Sequence, residues 1–156
     1  MNKMSKRLGI SAAAMLAVLI ADRVTKKLAV SALSGGAKTV VPGILGWRYA
    51  ENTGAAFSAL AGSGILLILL TAALIAAAIV WYLRHLKCNR WLAAGVTLII
   101  AGGLGNLYDR LTLGYVIDFI EVLFVKFAIF NVADVAVVCG TICLIIGILK
   151  TEGKAR

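Results

Sequence analysis

LAGSGILLILLTAALIAAAIVWYL, residues 60–83, carries no charged side chain in 24 residues. At helical rise the stretch is about 36 Å long, enough to cross a hydrocarbon core of about 30 Å with some tilt. Lipid is the solvent such a run fits, and the rest of the chain agrees. The 156 residues are 62% hydrophobic with a mean hydropathy of +0.98, whereas a soluble domain is about half apolar. Outward from this span, three more are expected at residues 8–30, 91–108 and 132–149. The first has an uncharged core of only 14 residues, 8–21, before Asp22 and Arg23, and its basic start imitates a secretory signal. No small-x-small cleavage site ends the run, and RVTKKLAV (23–30) continues the helix, so it reads as a retained transmembrane helix. The expected fold is a membrane α-helical protein, four transmembrane helices with a small extracytoplasmic β-sheet region, forming one domain over residues 1–156.

Charge sets the expected orientation. With both termini and the loop RHLKCNR (84–90) on one side, that side holds Lys3, Lys6, Arg7, Arg84, Lys87, Arg90, Lys150, Lys154 and Arg156 against Glu152 alone. The opposite side holds seven basic residues and six acids. Basic residues in short loops stay in the cytoplasm, so both termini are expected there. The sequence pI near 9.8 is thus a topology signal, and no Lys/Arg cluster interleaved with aromatics supports nucleic-acid binding. Asp22, Glu51, Asp109, Asp118, Glu121 and Asp134 all fall on the outer side. Function is expected outside.

Between the first two spans, Gly35-Gly36, Pro42, Gly43 and Gly46 are turn signals, and KTVV (38–41) and WRYA (47–50) have strand composition. They predict a small sheet on the membrane face. A second outer segment, 109–131, contains VIDFIEVLFVKFAIF, which suits a strand or an interfacial helix equally. Its Phe119, Phe124, Phe127 and Phe130 fit an interfacial aromatic belt. In the third span, Gly95, Gly102, Gly103 and Gly105 are expected where a neighbouring helix approaches closely.

Several chemistries are excluded by inventory. The one histidine, His85, lies in the cytoplasmic loop, so Ser-His and Cys-His pairs and a HExxH zinc site are unavailable on the outer face. Cys88 is cytoplasmic, and Cys139 and Cys143, one helical turn apart with no CxxC, read as packing residues. No metal site is readable and no cofactor is expected. A Ser-Lys dyad from Lys27 and Ser31 lacks any sign of an oxyanion hole. Carboxylates remain.

FNVADVAV, residues 130–137, opens the last span with Asn131 and Asp134. One reading is a helix cap, Asn131 at the N-cap and Asp134 three residues on, at the positive end of the helix dipole. The other is chemistry. An excursion after Asp118 that returns to the membrane face brings Asp118 to Asp134. Two carboxyls meeting at a poorly hydrated interface cannot both ionise cheaply, so one keeps a proton. Such a pair holds a water, deprotonates it as it attacks a peptide carbonyl and protonates the carbonyl oxygen.

DRVTK (22–26), ENTGAAFS (51–58), GGLGNLYDR (102–110), GYVIDFI (114–120) and FNVAD (130–134) stand in the order and spacing of the lipoprotein signal peptidases, or signal peptidase II, which the chain resembles along essentially its whole length. The resemblance implies a bacterial inner-membrane aspartyl endopeptidase that removes the signal peptide of prolipoproteins before a diacylglyceryl-modified Cys. By position it implies that Asp118 and Asp134 are catalytic. It implies site-lining or supporting roles for Asn52, Gly54, Asn106, Arg110 and Asn131, a structural Asp22–Lys26 ion pair, and a pairing of Asp109 with Arg110. The cap at Asn131 is compatible with these roles.

The expected picture is a site at the outer membrane edge, with a lipid-modified prolipoprotein as substrate and membrane lipid as a recognition partner. Burial of each acyl methylene contributes roughly 0.8 kcal/mol. The sheet and the ENTGAAFS loop are expected to cover the site; Trp47 and Tyr49 suit anchoring of that cover and simple membrane anchoring equally, and Arg110 is an alternative partner for lipid phosphate. A monomer is expected. The competing class is a small proton- or cation-coupled transporter, which requires acids spread through the membrane depth; the span cores 8–21, 60–83 and 136–149 contain none. An inactive scaffold is the third class.

Overall fold

The computed structural model describes residues 3–54 and 64–152. Four helices, α1 (Lys3–Ala32), α2 (Gly64–Arg84), α3 (Arg90–Leu113) and α4 (Val132–Glu152), are each long and apolar enough to cross a membrane. Three strands, β1 (Lys38–Val41), β2 (Leu45–Asn52) and β3 (Val116–Val122), form one antiparallel sheet in the order β1-β2-β3. The expected architecture of four spans and a small sheet is the one observed. The ENTGAAFS loop beyond Gly54, and the start of the second expected span, lie outside the described residues.

The central helix is α3, which packs against all three others. Asn89 starts it, its side-chain oxygen accepting from the Trp91 and Leu92 N–H groups at 3.0 Å, which satisfies two donors that have no intrahelical partner. Gly114 stops it with φ 83°, its N–H donating to the Arg110 carbonyl, a left-handed cap that a Cβ disfavours. The expected close approach along this helix is present. A methyl on Gly95 would sit 2.7 Å from the Gly140 carbonyl of α4, so backbones meet there with no side chain between them, as small residues allow where apolar burial does not drive association.

The two ends of the bundle differ. At one end Arg7 donates to the Leu86 and Cys88 carbonyls, and Asn89 donates to the Gly147 carbonyl at 2.8 Å and the Thr151 hydroxyl at 2.9 Å. The start of α1, the 85–89 loop and the end of α4 therefore lie together, as the charge pattern requires. Beside them, Ile75, Tyr82, Ala93, Val96 and Ile100 form a buried apolar cluster. The sheet caps the opposite end, where Phe119 packs with Ala29 of α1 and with Leu33 just beyond it.

The 116–130 run, open between strand and helix in the sequence, is resolved as a strand and a return. β3 pairs with β2 with Ala50 opposite Asp118 and Asn52 opposite Val116. After β3 the chain loops out and comes back at Phe130, whose N–H donates to the Ile120 carbonyl at 3.1 Å while its carbonyl accepts from the Ile120 N–H at 2.8 Å. That clamp closes the excursion and delivers the next residue, Asn131, beside Asp118. The Pro42-Gly43 pair turns β1 into β2, with Gly43 at φ 70° and the Ile44 N–H donating to the Val41 carbonyl, a turn in which Pro presets the first bend and Gly supplies the positive φ.

Candidate active site

Asp118 sits on β3 and is 2% exposed. Asp134 lies in the first turn of α4. Both line one cavity of about 510 Å³, with Asn52, Asn106 and Arg110 as polar neighbours and Val116, Phe127, Ile129, Phe130, Val137 and Val138 among its apolar walls. Asn131 joins the two acids. Its side-chain N–H donates to Asp118 Oδ1 at 2.7 Å, and its backbone N–H donates to Asp134 Oδ2 at 3.1 Å.

The cap reading and the site reading of FNVAD are one geometry. The Asp134 N–H donates to Asn131 Oδ1 at 3.0 Å while Asp134 Oδ2 accepts from the Asn131 N–H, a reciprocal capping box with Asp in the usual place of Glu. The next free donor of the first turn, the Ala133 N–H, goes to Asp22 Oδ1 at 3.2 Å.

Every oxygen of the two carboxylates accepts one N–H. Asp118 Oδ2 takes the Asn52 amide at 2.9 Å, and Asp134 Oδ1 takes the Asn106 amide at 2.7 Å. Asn52 stands two residues from Ala50 on the same strand face, so it reaches Asp118 diagonally across the ladder. An asparagine presents either its N–H₂ or its carbonyl depending on which end is held elsewhere. Here all three carbonyl ends are held. Asn52 Oδ1 accepts from the Gly54 N–H at 3.0 Å, Asn131 Oδ1 from the Asp134 N–H, and Asn106 Oδ1 from Lys26 Nζ at 3.0 Å and from Asn131 Nδ2 at 3.1 Å. Donors alone face the acids.

Burial, joined by the negative charge of Asp134, pushes the Asp118 carboxyl up to about 6, against the opposing pull of the Asn52 and Asn131 hydrogen bonds and the Lys26 charge. Burial in a poorly hydrated site disfavours the charged form, and a like charge adds to that.

Asp22, Lys26 and Asp109 do not line the cavity; they form a buried ion cluster behind it. Lys26 Nζ lies 3.0 Å from Asp22 Oδ2 and 2.8 Å from Asp109 Oδ2, so the expected Asp22–Lys26 pair is present. The expected Asp109–Arg110 pair is not. Adjacent residues on a helix point about 100° apart, and Asp109 turns inward to Lys26 and Arg23 while Arg110 donates to the Gly54 carbonyl at 3.1 Å. Arg23, not singled out from the sequence, completes the cluster and lies over the Tyr108 ring, 4.6 Å from its centroid. A cation one residue after an acid inside an apolar helix was the available signal. Cys139, expected to pack, is exposed and lines the cavity. Ser31 donates its hydroxyl to the Leu28 carbonyl. Among the described residues, no group of three His, Cys, Asp or Glu side chains stands close enough to hold a metal.

A family model described as signal peptidase (SPase) II matches residues 14–150. The chain belongs to the signal peptidase II family. It is 45% identical over 119 residues to a lipoprotein signal peptidase of Streptococcus agalactiae serotype Ia, covering 76% of this chain and 77% of that one. To the lipoprotein signal peptidase of Latilactobacillus sakei it is 43% identical over 140 residues, covering 88% and 91%. A bacterial membrane enzyme solved by the in meso method at 2.3 Å resolution superposes with a TM-score of 0.87 at 30% identity, over 95% of this chain and 92% of that one. This signal peptidase II family member is a protease and a multi-pass bacterial membrane protein; the transporter alternative has no support.

Proposed function

We propose that Asp118 and Asp134 are the catalytic pair with which this protease removes signal peptides from lipoprotein precursors. The observation that supports this most directly is Asn131, which hydrogen-bonds both carboxylates at a cavity whose walls are mostly apolar. The pair shares one proton. The ionised member takes a proton from a water as its oxygen attacks the scissile carbonyl carbon, and the protonated member gives its proton to the carbonyl oxygen. Collapse of the resulting gem-diol breaks the C–N bond. The hydroxyl proton released at one oxygen returns to a carboxylate as the other acid protonates the departing amine. Asn52, Asn106 and Asn131 hold the pair in place, and Arg110 fixes the Gly54 turn at the cavity edge.

In this reading the basic end of the bundle, with both termini, faces the cytoplasm, since Lys and Arg concentrate there. The sheet and the cavity then lie on the extracytoplasmic side. The apolar wall of Val137 and Val138 takes the signal segment, and bilayer lipid accommodates the acyl chains of the diacylglyceryl-Cys. The chain acts as one domain and as a monomer. The test is incubation of the purified protein with a lipid-modified prolipoprotein, read as a size shift on a gel. Cleavage by the parent and its loss in Asp118→Asn and Asp134→Asn are expected; cleavage near the parent rate in either variant overturns the assignment.

A further inference from the structure

Two of the three asparagines that hold the acids have their carbonyl ends fixed by backbone N–H groups, Asn52 by Gly54 and Asn131 by Asp134. Asn106 differs: its carbonyl end is held by side chains alone. Asn131 Nδ2 is the weaker hold, because its two hydrogens are divided among Asp118 at 2.7 Å, Asn106 at 3.1 Å and the Ile117 carbonyl at 3.3 Å. Lys26 is the stronger. It is 1% exposed, and its three N–H donors are all engaged, by Asp22, Asp109 and Asn106.

We infer that Lys26 is a positioning residue for the reaction: it fixes the rotation of the Asn106 amide so that Asp134 meets a donor rather than an acceptor. This deepens the proposed role of the Asp118/Asp134 pair and rests on it. An amide that donates to a carboxylate favours its ionised form; the same amide turned over offers a carbonyl and favours the protonated form. The charged groups around the pair are Asp22 and Lys26 on α1, Asp109 and Arg110 on α3, and the two acids themselves on β3 and α4. None of the others touches the Asn106 carbonyl.

The experiment is the pH profile of kcat/KM for prolipoprotein cleavage in the parent, Lys26→Met, Asn106→Leu and the combination. The expected result is an acid limb moved up by about one pH unit in Lys26→Met, with much less added when residue 106 is already Leu. Where Lys26→Met alone does not assemble, the charge-balanced Asp22→Asn/Lys26→Met variant retains the Arg23–Asp109 pair and carries the test. A lowered melting temperature with an unmoved acid limb makes Lys26 merely structural and overturns the inference. So does a shift of equal size with Asn and with Leu at 106, which is the signature of charge alone. Failure of the catalytic assignment is read separately, as cleavage surviving in Asp118→Asn or Asp134→Asn.

Discussion

Two groups of acids lie side by side in this molecule and are treated in opposite ways. Asp22 and Asp109, each fully buried, are neutralised by Lys26 and Arg23 at contact distance. Asp118 and Asp134 have no cation within 4 Å among the described residues and are held by neutral amides. Burying a charge is tolerable only when it is paired or well hydrogen-bonded. A cation makes a carboxylate a permanent anion, useful for fastening helices. Amides orient a carboxylate while leaving it able to change protonation state, which acid/base chemistry requires. Asn106 is the point where the two groups touch.

The largest way to break the contrast is at the amide-held pair. Asp118→Asn and Asp134→Asn are each expected to lower cleavage by about 10⁴-fold, with the melting temperature in detergent staying close to the parent's. Next comes the ion-paired group. Asp22→Ala leaves Lys26 short of a partner and the Ala133 N–H without its acceptor, and is expected to cost about 3–5 kcal/mol of stability, measured by denaturation in detergent, while folded protein retains most of its cleavage rate.

A third test uses pH. The Asp118 carboxyl is raised to about 6 in the folded protein, so folding favours its protonated form. The stability it contributes is present below the ordinary carboxylate range and is lost as pH rises through about 6. The melting temperature of the parent should therefore fall between about pH 5 and about pH 7, and Asp118→Asn should lack that component. The smallest effect is steric: a methyl at Gly105 would lie 2.9 Å from Asp22 Oδ2 and 3.2 Å from the Ala133 Cβ. Gly105→Ala is expected to cost about 1–3 kcal/mol, a loss that should shrink when Asp22 is already Ala.

The spans were legible because uncharged runs as long as residues 60–83 have few alternatives to lipid, and the strands KTVV and WRYA because turn residues bracket them. The meeting of Asp118 and Asp134 was expected from a short excursion, and the Ile120–Phe130 clamp is the device that produces it. The strand at 116–122 was not legible, since VIDFIEV is buried on both faces over its first half and so lacks the alternation that separates strand from helix. Nor was the partner of Asp109. Its neighbour in sequence was the natural guess, whereas its partners come from α1, at separations no local pattern reveals. The triple use of Lys26 is a tertiary property of the same kind.

The reciprocal bond between Asn131 and Asp134 ties the proposed reacting group to the very start of a membrane helix. Under the proposed assignment, a copy in which that first turn unravels frees Asp134 from Asn131, so the fold of the helix start and the cutting ability are lost in one event.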